Sequence, residues 1–412
     1  MKMQVWSDIF VIMKKGRIRM VQDYYKNAIT SSSILYFHKP DKDLKMDFTL
    51  DPNGKGVTGG RFGKIWLEDA EPTIKILDNG DVRFRYYAPE AKKVEVAGCG
   101  GYFSDEKVAM TKGEDGWWSC VISGIKPGFH NHKYWVDGNL MVNPDAPVGY
   151  GWFYPINVFD LPGEEDGFWM LKDVPHGDVR MEYYKSSATG RTKLAWVYTP
   201  AGYDESDKRY PVLYIQHGVG ENEMGWVWQG HINMIADNLI AEGKMEEMII
   251  VMNCGYAFVE GENPVFLPGD FSKELTEDCI PHIDAEYRTI ADRKHRAMAG
   301  LSLGSSQAFF IANEHKDLFA NLGVFSGGFP IKNQFGYWDY TDYYNDPEQV
   351  NKDFDVLFIS GGDDEGYPER TAPVVEAEQK LGVNVIGYHH PGFHVWDVWR
   401  FSAREFMQRI FK

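Results

Sequence analysis

A single serine stands between two glycines in the segment GLSLG, residues 300–304. The residues before it, HRAMA, are typical of a buried strand, and those after it, SSQAFFIANEH, are typical of a helix. In a sharp strand-to-helix turn, flanking glycines let the backbone turn without a clash and leave the serine hydroxyl exposed above the strand end. The segment therefore predicts a nucleophile elbow with Ser302 as the nucleophile. The alternative is a glycine-rich turn whose serine has no chemical role.

Three histidines follow the serine near the end of the chain, in the segment VNVIGYHHPGFHVWDVWR. A serine hydroxyl is a poor nucleophile until a histidine accepts its proton. His389 and His390 fall within or at the end of a predicted strand, whereas His394 follows Pro-Gly in a loop that could bring it over the serine. This placement favours His394 as the general base.

An acid is needed to hold the imidazole in one tautomer and orientation. In α/β-hydrolases the order along the chain is serine, acid, histidine, which places the acid between Ser302 and His394. The apolar strand DVLFIS leads into a loop that carries Asp363, Asp364 and Glu365. Adjacent side chains of an extended segment point to opposite sides, so only one of Asp364 and Glu365 can face the histidine.

Backbone N–H groups must stabilise the oxyanion that forms during acyl transfer. One is expected from Leu303, directly after the nucleophile, and the other from the loop YIQHGVGENEMGW. Val219 is the first candidate for that second donor and Gly220 the next. His217 and Gly218 begin the loop and are expected to lie at the substrate site.

Three tryptophans occur beside the segments that carry these groups: Trp226, Trp228 and Trp396. Their rings could form the wall of a pocket for an aromatic acyl group, since ligand pockets are commonly lined by aromatic side chains. They could equally be core or rim residues, and the sequence does not separate the two interpretations.

Strand-like and helix-like segments alternate over residues 186–412. Continuous apolar strands between amphipathic helices predict a mostly parallel sheet covered on both faces, an α/β fold. The elbow at Ser302 on such a sheet indicates the α/β-hydrolase type. Residues 67–160 differ, because short apolar alternations are broken by turn residues every 8 to 12 positions. This pattern predicts an all-β immunoglobulin-like sandwich before the α/β-hydrolase domain. Residues 161–185 are interpreted as a linker and residues 1–66 as an N-terminal extension.

The predicted sandwich carries four tryptophans, Trp117, Trp118, Trp135 and Trp152. An aromatic ring can stack on a sugar ring because it offers an apolar face. Filling the core of the sandwich is the interpretation we favour for most of the four.

Composition excludes several classes of protein. The net charge of −17 over 412 residues argues against a nucleic-acid partner, whose phosphates would be repelled. No apolar run approaches the length of about 18 residues that a membrane span needs, so no membrane partner is expected. Residues 1–26 are locally basic, yet they lack the features of a secretory signal, and we expect a cytoplasmic protein.

Cysteines and histidines show no metal-ligand spacing. The four cysteines, Cys99, Cys120, Cys254 and Cys279, form no CxxC pair and are expected to be free thiols. The histidines of the HNH segment, His130 and His132, have no adjacent carboxylate cluster, so we expect no metal site there.

Five segments, taken in order, resemble the feruloyl and acetyl xylan esterases of carbohydrate esterase family 1, a group also described as esterase D-like or enterochelin esterase-like. They are PVLYIQHGVGENEMGW, DFSKELTEDCIPHIDAEYRT, MAGLSLGSSQAFFIA, LFISGG and PGFHVWDVWR. The sandwich segment likewise resembles the glycogen-binding type of module that precedes many glycan-active enzymes. The resemblance implies cleavage of carboxylic esters through an acyl-serine, with no metal or organic cofactor. The family usually has a second glycine after the elbow, where this chain has Ser305.

The resemblance also bears on the triad acid. Related esterases carry a pattern like LWIGCGKDD, and its ungapped alignment with LFISGGDDE places the final acid on Glu365. Counting from Gly361 instead selects Asp364. We expect Glu365 to be the acid, with Asp364 as the alternative.

The leading functional hypothesis is a serine esterase that acts on feruloyl or acetyl groups of plant polysaccharide or its oligosaccharides. A siderophore esterase is the alternative enzyme, but its acidic trilactone would favour nearby basic residues, and few besides Arg370 and Arg400 are available. A non-catalytic glycan-binding protein that kept the fold is the third hypothesis. The oligomeric state is not determined by the sequence, and a homodimer is possible.

Overall fold

The computed structural model describes two short strands, β1 (Thr49–Leu50) and β2 (Val57–Thr58), and then residues 72–98, 106–161, 163, 166–262, 266–267, 269–334 and 336–412. The basic segment at residues 1–26 and Cys99 lie outside the described residues. The chain divides into two compact units. The second contains Tyr150–Tyr154 and Glu165–Lys412, and the first contains the preceding residues up to Gly149 together with Pro155–Glu164.

Besides the antiparallel pair β1-β2, the first unit contains two larger sheets. Their strands are β3 (Ile74–Ile76), β4 (Val82–Tyr87), β5 (Val94–Ala97), β6 (Val108–Ala109), β7 (Thr111–Lys112), β8 (Trp117–Ile122), β9 (Gly128–Val136), β10 (Asn139–Met141), β11 (Val148–Gly151) and β12 (Tyr154–Leu161). Within the described residues one sheet has the order β3-β4-β8-β7, and the other has the order β11-β12-β9-β5-β6, with β10 paired to β9.

The core of the first unit lies between these sheets. Along β4 the side chains alternate between buried and half-buried, and Val82 and Phe84 face inward together with Val94 and Val96 of β5. This alternation is what a sandwich requires, since each strand has one face on the core. The predicted immunoglobulin-like sandwich is confirmed.

Most of the sandwich tryptophans are indeed structural. Trp117 and Trp118 are buried, while Trp135 is half-buried with the Lys107 ammonium over its ring. Trp152 is the exception, because it is exposed and belongs to the second unit.

The histidines of the HNH segment lie on β9. His132 is fully buried among aromatic rings, and burial lowers its pKa to about 3. His130 contacts the Lys126 carbonyl through its Nε2 atom. In the part of the chain that the structure describes, no three His, Cys, Asp or Glu side chains come together as a metal site would require.

The second unit contains an eight-stranded sheet. Its strands are β13 (Asp178–Lys185), β14 (Thr192–Thr199), β15 (Val212–Gln216), β16 (Ile249–Asn253), β17 (Arg296–Leu301), β18 (Asn321–Phe325), β19 (Val356–Gly362) and β20 (Val385–His390). The strand order is β13-β14-β16-β15-β17-β18-β19-β20, and all pairs from β16 to β20 are parallel. The predicted α/β-hydrolase sheet is confirmed.

The predicted linker is too long at its C-terminal end. Residues 178–185 form β13, the edge strand of the sheet, paired antiparallel with β14. The segment DVRMEYYK alternates charged and apolar residues, a period-2 pattern typical of a strand, and the interpretation of residues 161–185 as a linker overlooked it.

Helices connect the strands: α1 (Gly225–Trp228), α2 (Ile232–Ala241), α3 (Phe271–Lys273), α4 (Ile280–Glu286), α5 (Leu303–Glu314), α6 (Thr341–Tyr344), α7 (Pro347–Asp353), α8 (Ala372–Leu381) and α9 (Trp396–Met407). A π-helical turn, Glu274–Cys279, joins α3 to α4, and a second one, Tyr367–Thr371, precedes α8. Among the described residues no helix has the length and apolarity needed to cross a bilayer.

The turn from β17 into α5 is closely packed. A Cβ atom on Gly304 would lie 2.4 Å from the His217 carbonyl oxygen, so only glycine fits there. Ser305, which replaces the usual second glycine, is fully buried, and its hydroxyl donates a hydrogen bond to the Ser302 carbonyl. The Ser305 hydroxyl lies against the backbone of Gly327, where an added Cβ would be only 1.9 Å from Ser305 Oγ. The absence of a side chain at residue 327 therefore makes room for Ser305.

We predict that Gly327→Ala destabilises the protein by about 1–3 kcal/mol, the usual range for overpacking a tight site. In the double variant Ser305→Gly/Gly327→Ala much of that loss should be recovered, because contacting residues couple energetically. The free energy of unfolding, measured with denaturant, tests both. Gly167→Ala is the control, since no atom lies within 4 Å of a Cβ at that position. Equal losses in the single and double variants would contradict the proposed contact.

Candidate active site

Ser302 occupies the turn between β17 and α5. Its backbone has φ 52° and ψ −117°, a conformation that is rare for a residue other than glycine. The Ser302 N–H donates to the Phe325 carbonyl at 2.9 Å, which ties the turn to the end of the neighbouring strand β18. Such strain costs of the order of 1–3 kcal/mol and persists only where the surrounding structure imposes it. The backbone of Ser302 thus has the geometry of a nucleophile elbow.

The loop after β15 approaches this turn closely. A Cβ on Gly218 would lie 2.7 Å from Leu301 Cδ1 and 3.4 Å from Ser302 Cβ, so a side chain there would have to displace the buried Leu301 side chain. Val219, the next residue, is exposed. The loop therefore brings its backbone next to the serine, as an oxyanion hole requires.

The candidate oxyanion donors differ in their hydrogen bonding. Within the described part of the chain, the N–H groups of Leu303 and Val219 have no partner. The Gly220 N–H instead donates to the Tyr256 hydroxyl at 2.7 Å. Gly220 is thus disfavoured as an oxyanion donor, since its N–H is already bonded, and Leu303 and Val219 are the available pair.

His217 does not face a substrate. It is buried, its Nε2 accepts a hydrogen bond from the Gly255 N–H at 3.0 Å, and its Nδ1 lies 2.8 Å from the Gly218 carbonyl oxygen. Because Nε2 accepts, the proton must be on Nδ1, which donates to Gly218. Burial lowers the pKa of His217 to about 4. The expectation that His217 binds substrate is wrong, and the residue instead holds the loop.

Glu221 is a second support of the loop, and the sequence analysis missed it. Its carboxylate accepts hydrogen bonds from the Gly218 N–H at 3.1 Å, the Trp396 indole at 3.0 Å and the Gln229 amide at 3.4 Å. Burial raises its pKa to about 7. The only sequence signal for this role is an acidic residue three positions after the loop glycine.

Two of the three tryptophans expected at a pocket wall belong to the core. Trp226 and Trp396 are only 1% and 2% exposed, and their rings pack edge-to-face with centroids 5.1 Å apart. Trp226 donates its indole hydrogen bond to the Gln216 carbonyl at 2.9 Å. Trp228 is 42% exposed, so of these three tryptophans it is the one that a ligand could contact.

The histidine and the acid lie in the loops that follow β20 and β19. His394 Nδ1 is 2.7 Å from Glu365 Oε2. The other carboxylate oxygen, Oε1, accepts hydrogen bonds from the Ser326 hydroxyl and the Gly362 N–H. Both His394 and Glu365 are partly buried. The carboxylate is thus placed to hold a proton on Nδ1, which leaves Nε2 of His394 free to act as a base.

The competing candidates have other partners. His389 Nδ1 pairs with Asp363 at 2.6 Å on the exposed side of the loop. His390 Nδ1 contacts the Pro391 carbonyl, and its ring stacks on Phe401 with centroids 3.8 Å apart. Neither histidine is directed to Glu365.

Asp364 is exposed, and its backbone N–H donates to the Gly392 carbonyl at 2.9 Å. Its carboxylate forms no hydrogen bond within the described residues. Of the two adjacent acids, Glu365 is the one that faces His394.

In the described residues no hydrogen bond joins Ser302 Oγ to His394. Catalytic hydrogen bonds are often long without substrate and tighten when it binds. The two residues are nevertheless connected, because Ser302 is tied to Phe325, and Ser326 beside it contacts Glu365. The arrangement can supply a nucleophile, a base and an oriented carboxylate.

The basic residues considered for an acidic substrate are placed differently. Arg400 is fully buried, with its guanidinium bonded to the Gln229 carbonyl and lying 4.1 Å from the Trp169 ring centroid. Arg370 is exposed and donates to the Glu365 carbonyl oxygen. Of the pair, Arg370 alone is accessible to a ligand.

The chain is similar to known esterases. A xylanase/feruloyl esterase from Xylanibacter ruminicola is 34% identical over 82% of this chain and 46% of its own length. An esterase from Mycobacterium tuberculosis is 31% identical over 42% of this chain and 38% of its own length. The chain therefore spans less than half the length of these relatives.

Solved structures of esterases are also similar to the chain. A CE1 ferulic acid esterase from Anaeromyces mucronatus, solved with ferulic acid, is 26% identical with a TM-score of 0.51 over 60% of this chain and 95% of its own. An enterochelin esterase from Shigella flexneri has a TM-score of 0.59 over 83% of this chain and 96% of its own, and at 13% identity it shows the fold alone.

Family comparisons cover both units. Residues 62–146 match carbohydrate-binding module 48, described as the isoamylase N-terminal domain. Residues 186–405 match the family described as "Putative esterase", which includes the elbow, the acid and the histidine. With more than half of its length matched, the chain belongs to this esterase family.

Proposed function

We propose that the protein hydrolyses carboxylic esters through an acyl-serine intermediate, with Ser302, His394 and Glu365 as the catalytic triad. The observation that carries the proposal is the 2.7 Å contact between His394 Nδ1 and Glu365 Oε2, made from the loops that follow two parallel strands beside the elbow. A carboxylate on Nδ1 leaves Nε2 unprotonated, which is the form that can remove a proton from a serine hydroxyl.

In the proposed reaction Ser302 Oγ attacks the ester carbonyl carbon while His394 Nε2 takes the serine proton. The carbonyl oxygen becomes an oxyanion and accepts hydrogen bonds from the Leu303 and Val219 N–H groups. His394 then gives the proton to the leaving alcohol, which departs as the acyl-serine forms. A water molecule, deprotonated by His394, attacks the acyl carbon, and the proton returns to Ser302 as the acid is released.

The substrate class that we propose is a hydroxycinnamoyl or acetyl ester of plant polysaccharide or of its oligosaccharides. Support comes from relatives whose names include feruloyl esterase or ferulic acid esterase activity. A siderophore trilactone is less well supported, because Arg400 is buried and the likeness to the enterochelin esterase is one of fold.

Replacing the nucleophile tests the mechanism. We expect Ser302→Ala to lower kcat on methyl ferulate by about 10⁶-fold, the loss typical of a triad nucleophile. The variant should fold normally, which thermal unfolding checks. A panel of methyl ferulate, p-nitrophenyl acetate and a catecholate trilactone, assayed with the unmodified protein, identifies the substrate class. Preference for the trilactone would replace the proposed class, and full activity in the alanine variant would contradict the mechanism.

The two adjacent acids give a matched pair of variants. Glu365→Ala should lower kcat by about 10⁴-fold, as the loss of a triad acid does. Asp364→Ala should leave kcat within about 3-fold, because its exposed carboxylate has no contact with His394. The opposite ranking of the two variants would transfer the role to Asp364.

We also propose that the sandwich unit increases action on polymeric substrate, in keeping with the match to carbohydrate-binding module 48. A chain that begins at residue 150, and so keeps Tyr150–Tyr154 of the second unit, should retain activity on methyl ferulate and lose activity on feruloylated xylan. Both rates are measured on protein shown to be folded by circular dichroism. Equal retention on the two substrates would argue against a role for the sandwich in binding polymer.

A further inference from the structure

We propose that Ser326 is a positioning residue of the active site, which holds the Glu365 carboxylate in the orientation that His394 needs. Ser326 is the first residue after β18, just as Ser302 is the first residue after β17. The inference rests on the proposed function, since it assigns Ser326 to the support of the proposed triad acid.

The backbone of Ser326 is in a sparsely populated conformation. Its φ is 54°, in the left-handed region that serine rarely adopts. Its N–H donates to the Ser360 carbonyl at 2.8 Å, so the strained turn is fixed to the end of β19. A glycine would adopt this φ without strain. The serine side chain is thus carried at a position where the backbone alone would favour glycine.

The direction of the hydrogen bonds at the Ser326 hydroxyl follows from its partners. The Trp399 indole Nε1 lies 2.8 Å from Ser326 Oγ, and an indole nitrogen can only donate. The hydroxyl therefore accepts from Trp399 and has its single proton left for Glu365 Oε1. The carboxylate receives a hydrogen bond from a hydroxyl that is itself held in place.

The two oxygens of Glu365 have separate tasks. Oε1 accepts from Ser326 and from the Gly362 N–H at 2.5 Å, whereas Oε2 contacts His394. With Oε1 bound on the side away from the histidine, rotation of the carboxylate is opposed. Hydrogen bonds to a charged acceptor are about twice as strong as neutral ones, so this restraint is substantial.

Packing around Glu365 is incomplete on one side. A cavity of about 340 Å³ borders Glu365, with Ser326, Ser360, Tyr367 and Arg370 among its other lining residues. A glutamate side chain has more rotatable bonds than an aspartate and loses more rotamer freedom when it is fixed. The hydrogen bonds of the Glu365 carboxylate therefore add a restraint on the side that faces the cavity.

Trp399 connects this support to the base. Its ring packs edge-to-face on the His394 imidazole, with centroids 5.1 Å apart and an interplanar angle of 89°. One side chain thus contacts the histidine through its ring and Ser326 through its N–H. Trp399, Ser326, Glu365 and His394 form a closed set of contacts, in which each residue constrains the next.

The test is a double-mutant cycle on kcat with methyl ferulate. Ser326→Ala should lower kcat by about 10- to 100-fold, the effect of one hydrogen bond to a charged group, and leave KM within about 2-fold. In the Glu365→Ala background the same substitution should change kcat by less than about 2-fold, because no carboxylate remains to be positioned. Ser326→Gly, which fits the backbone better, should reproduce the loss and guards against misfolding of the alanine variant.

Ser360→Ala is the matched control. Its hydroxyl borders the same cavity, is buried and forms no hydrogen bond within the described residues, so kcat should stay within about 2-fold. Trp399→Phe keeps a ring beside His394 and removes the indole N–H. The loss of kcat in Trp399→Phe should be smaller than the loss in Ser326→Ala. The double variant Ser326→Ala/Trp399→Phe should lose no more kcat than Ser326→Ala alone.

The outcomes are distinct. Wild-type kcat in Ser326→Gly would overturn the inference. An equal loss of kcat from Ser326→Ala with and without Glu365 would also overturn it, because the effect would then be unrelated to the carboxylate. Wild-type kcat in Glu365→Ala would instead remove the triad acid from the proposed function. A loss confined to the background with an intact Glu365 supports the positioning role.

Discussion

The close approach of three strand ends at Ser302 is the constraint on which the rest of the site depends. The backbone of Ser302 is strained, and it is held by the hydrogen bond to Phe325 of β18. From the other side the loop after β15 lies against the turn, because the His217 carbonyl leaves no room for a side chain at Gly304. Each contact alone is small, but together they fix where the hydroxyl and the neighbouring N–H groups lie.

The same backbone arrangement, a serine of positive φ directly after a strand, recurs at the next strand of the sheet. Ser302 donates its N–H to the end of β18, and Ser326 donates its N–H to Ser360 at the end of β19. Both serines have positive φ, and both present a hydroxyl at the carboxyl edge of the parallel sheet. Because Leu301 pairs with Phe325 in the parallel ladder, the two serines follow their strands at equivalent positions. The first lies at the elbow and the second contacts the carboxylate.

The sequence was most informative where chemistry and chain order coincide. The alternation of strands and helices predicted the parallel sheet, and the spacing of GLSLG, DDE and PGFH predicted which loops would meet. The sequence could not separate a pocket wall from a core for Trp226 and Trp396, since burial depends on distant partners. Trp396 packs against Trp226 and donates its indole hydrogen bond to Glu221, 175 residues earlier. The edge strand β13 has a strand signal in its alternation of charged and apolar residues, but it lacks the longer apolar run that marks the inner strands.

The supports of the oxyanion loop explain why a buried acid, a neutral histidine and a tyrosine gather there. His217, Glu221 and Tyr256 bind the backbone polar groups of Gly218 and Gly220. A polar backbone group left without a partner costs about 1–3 kcal/mol when buried. Supplying partners to those two glycines fixes the loop, while the Val219 N–H, at an exposed residue, is left unpaired. Preorganised donors of this kind need no rearrangement when charge develops on a substrate oxygen, and the buried polar groups behind the loop supply that preorganisation.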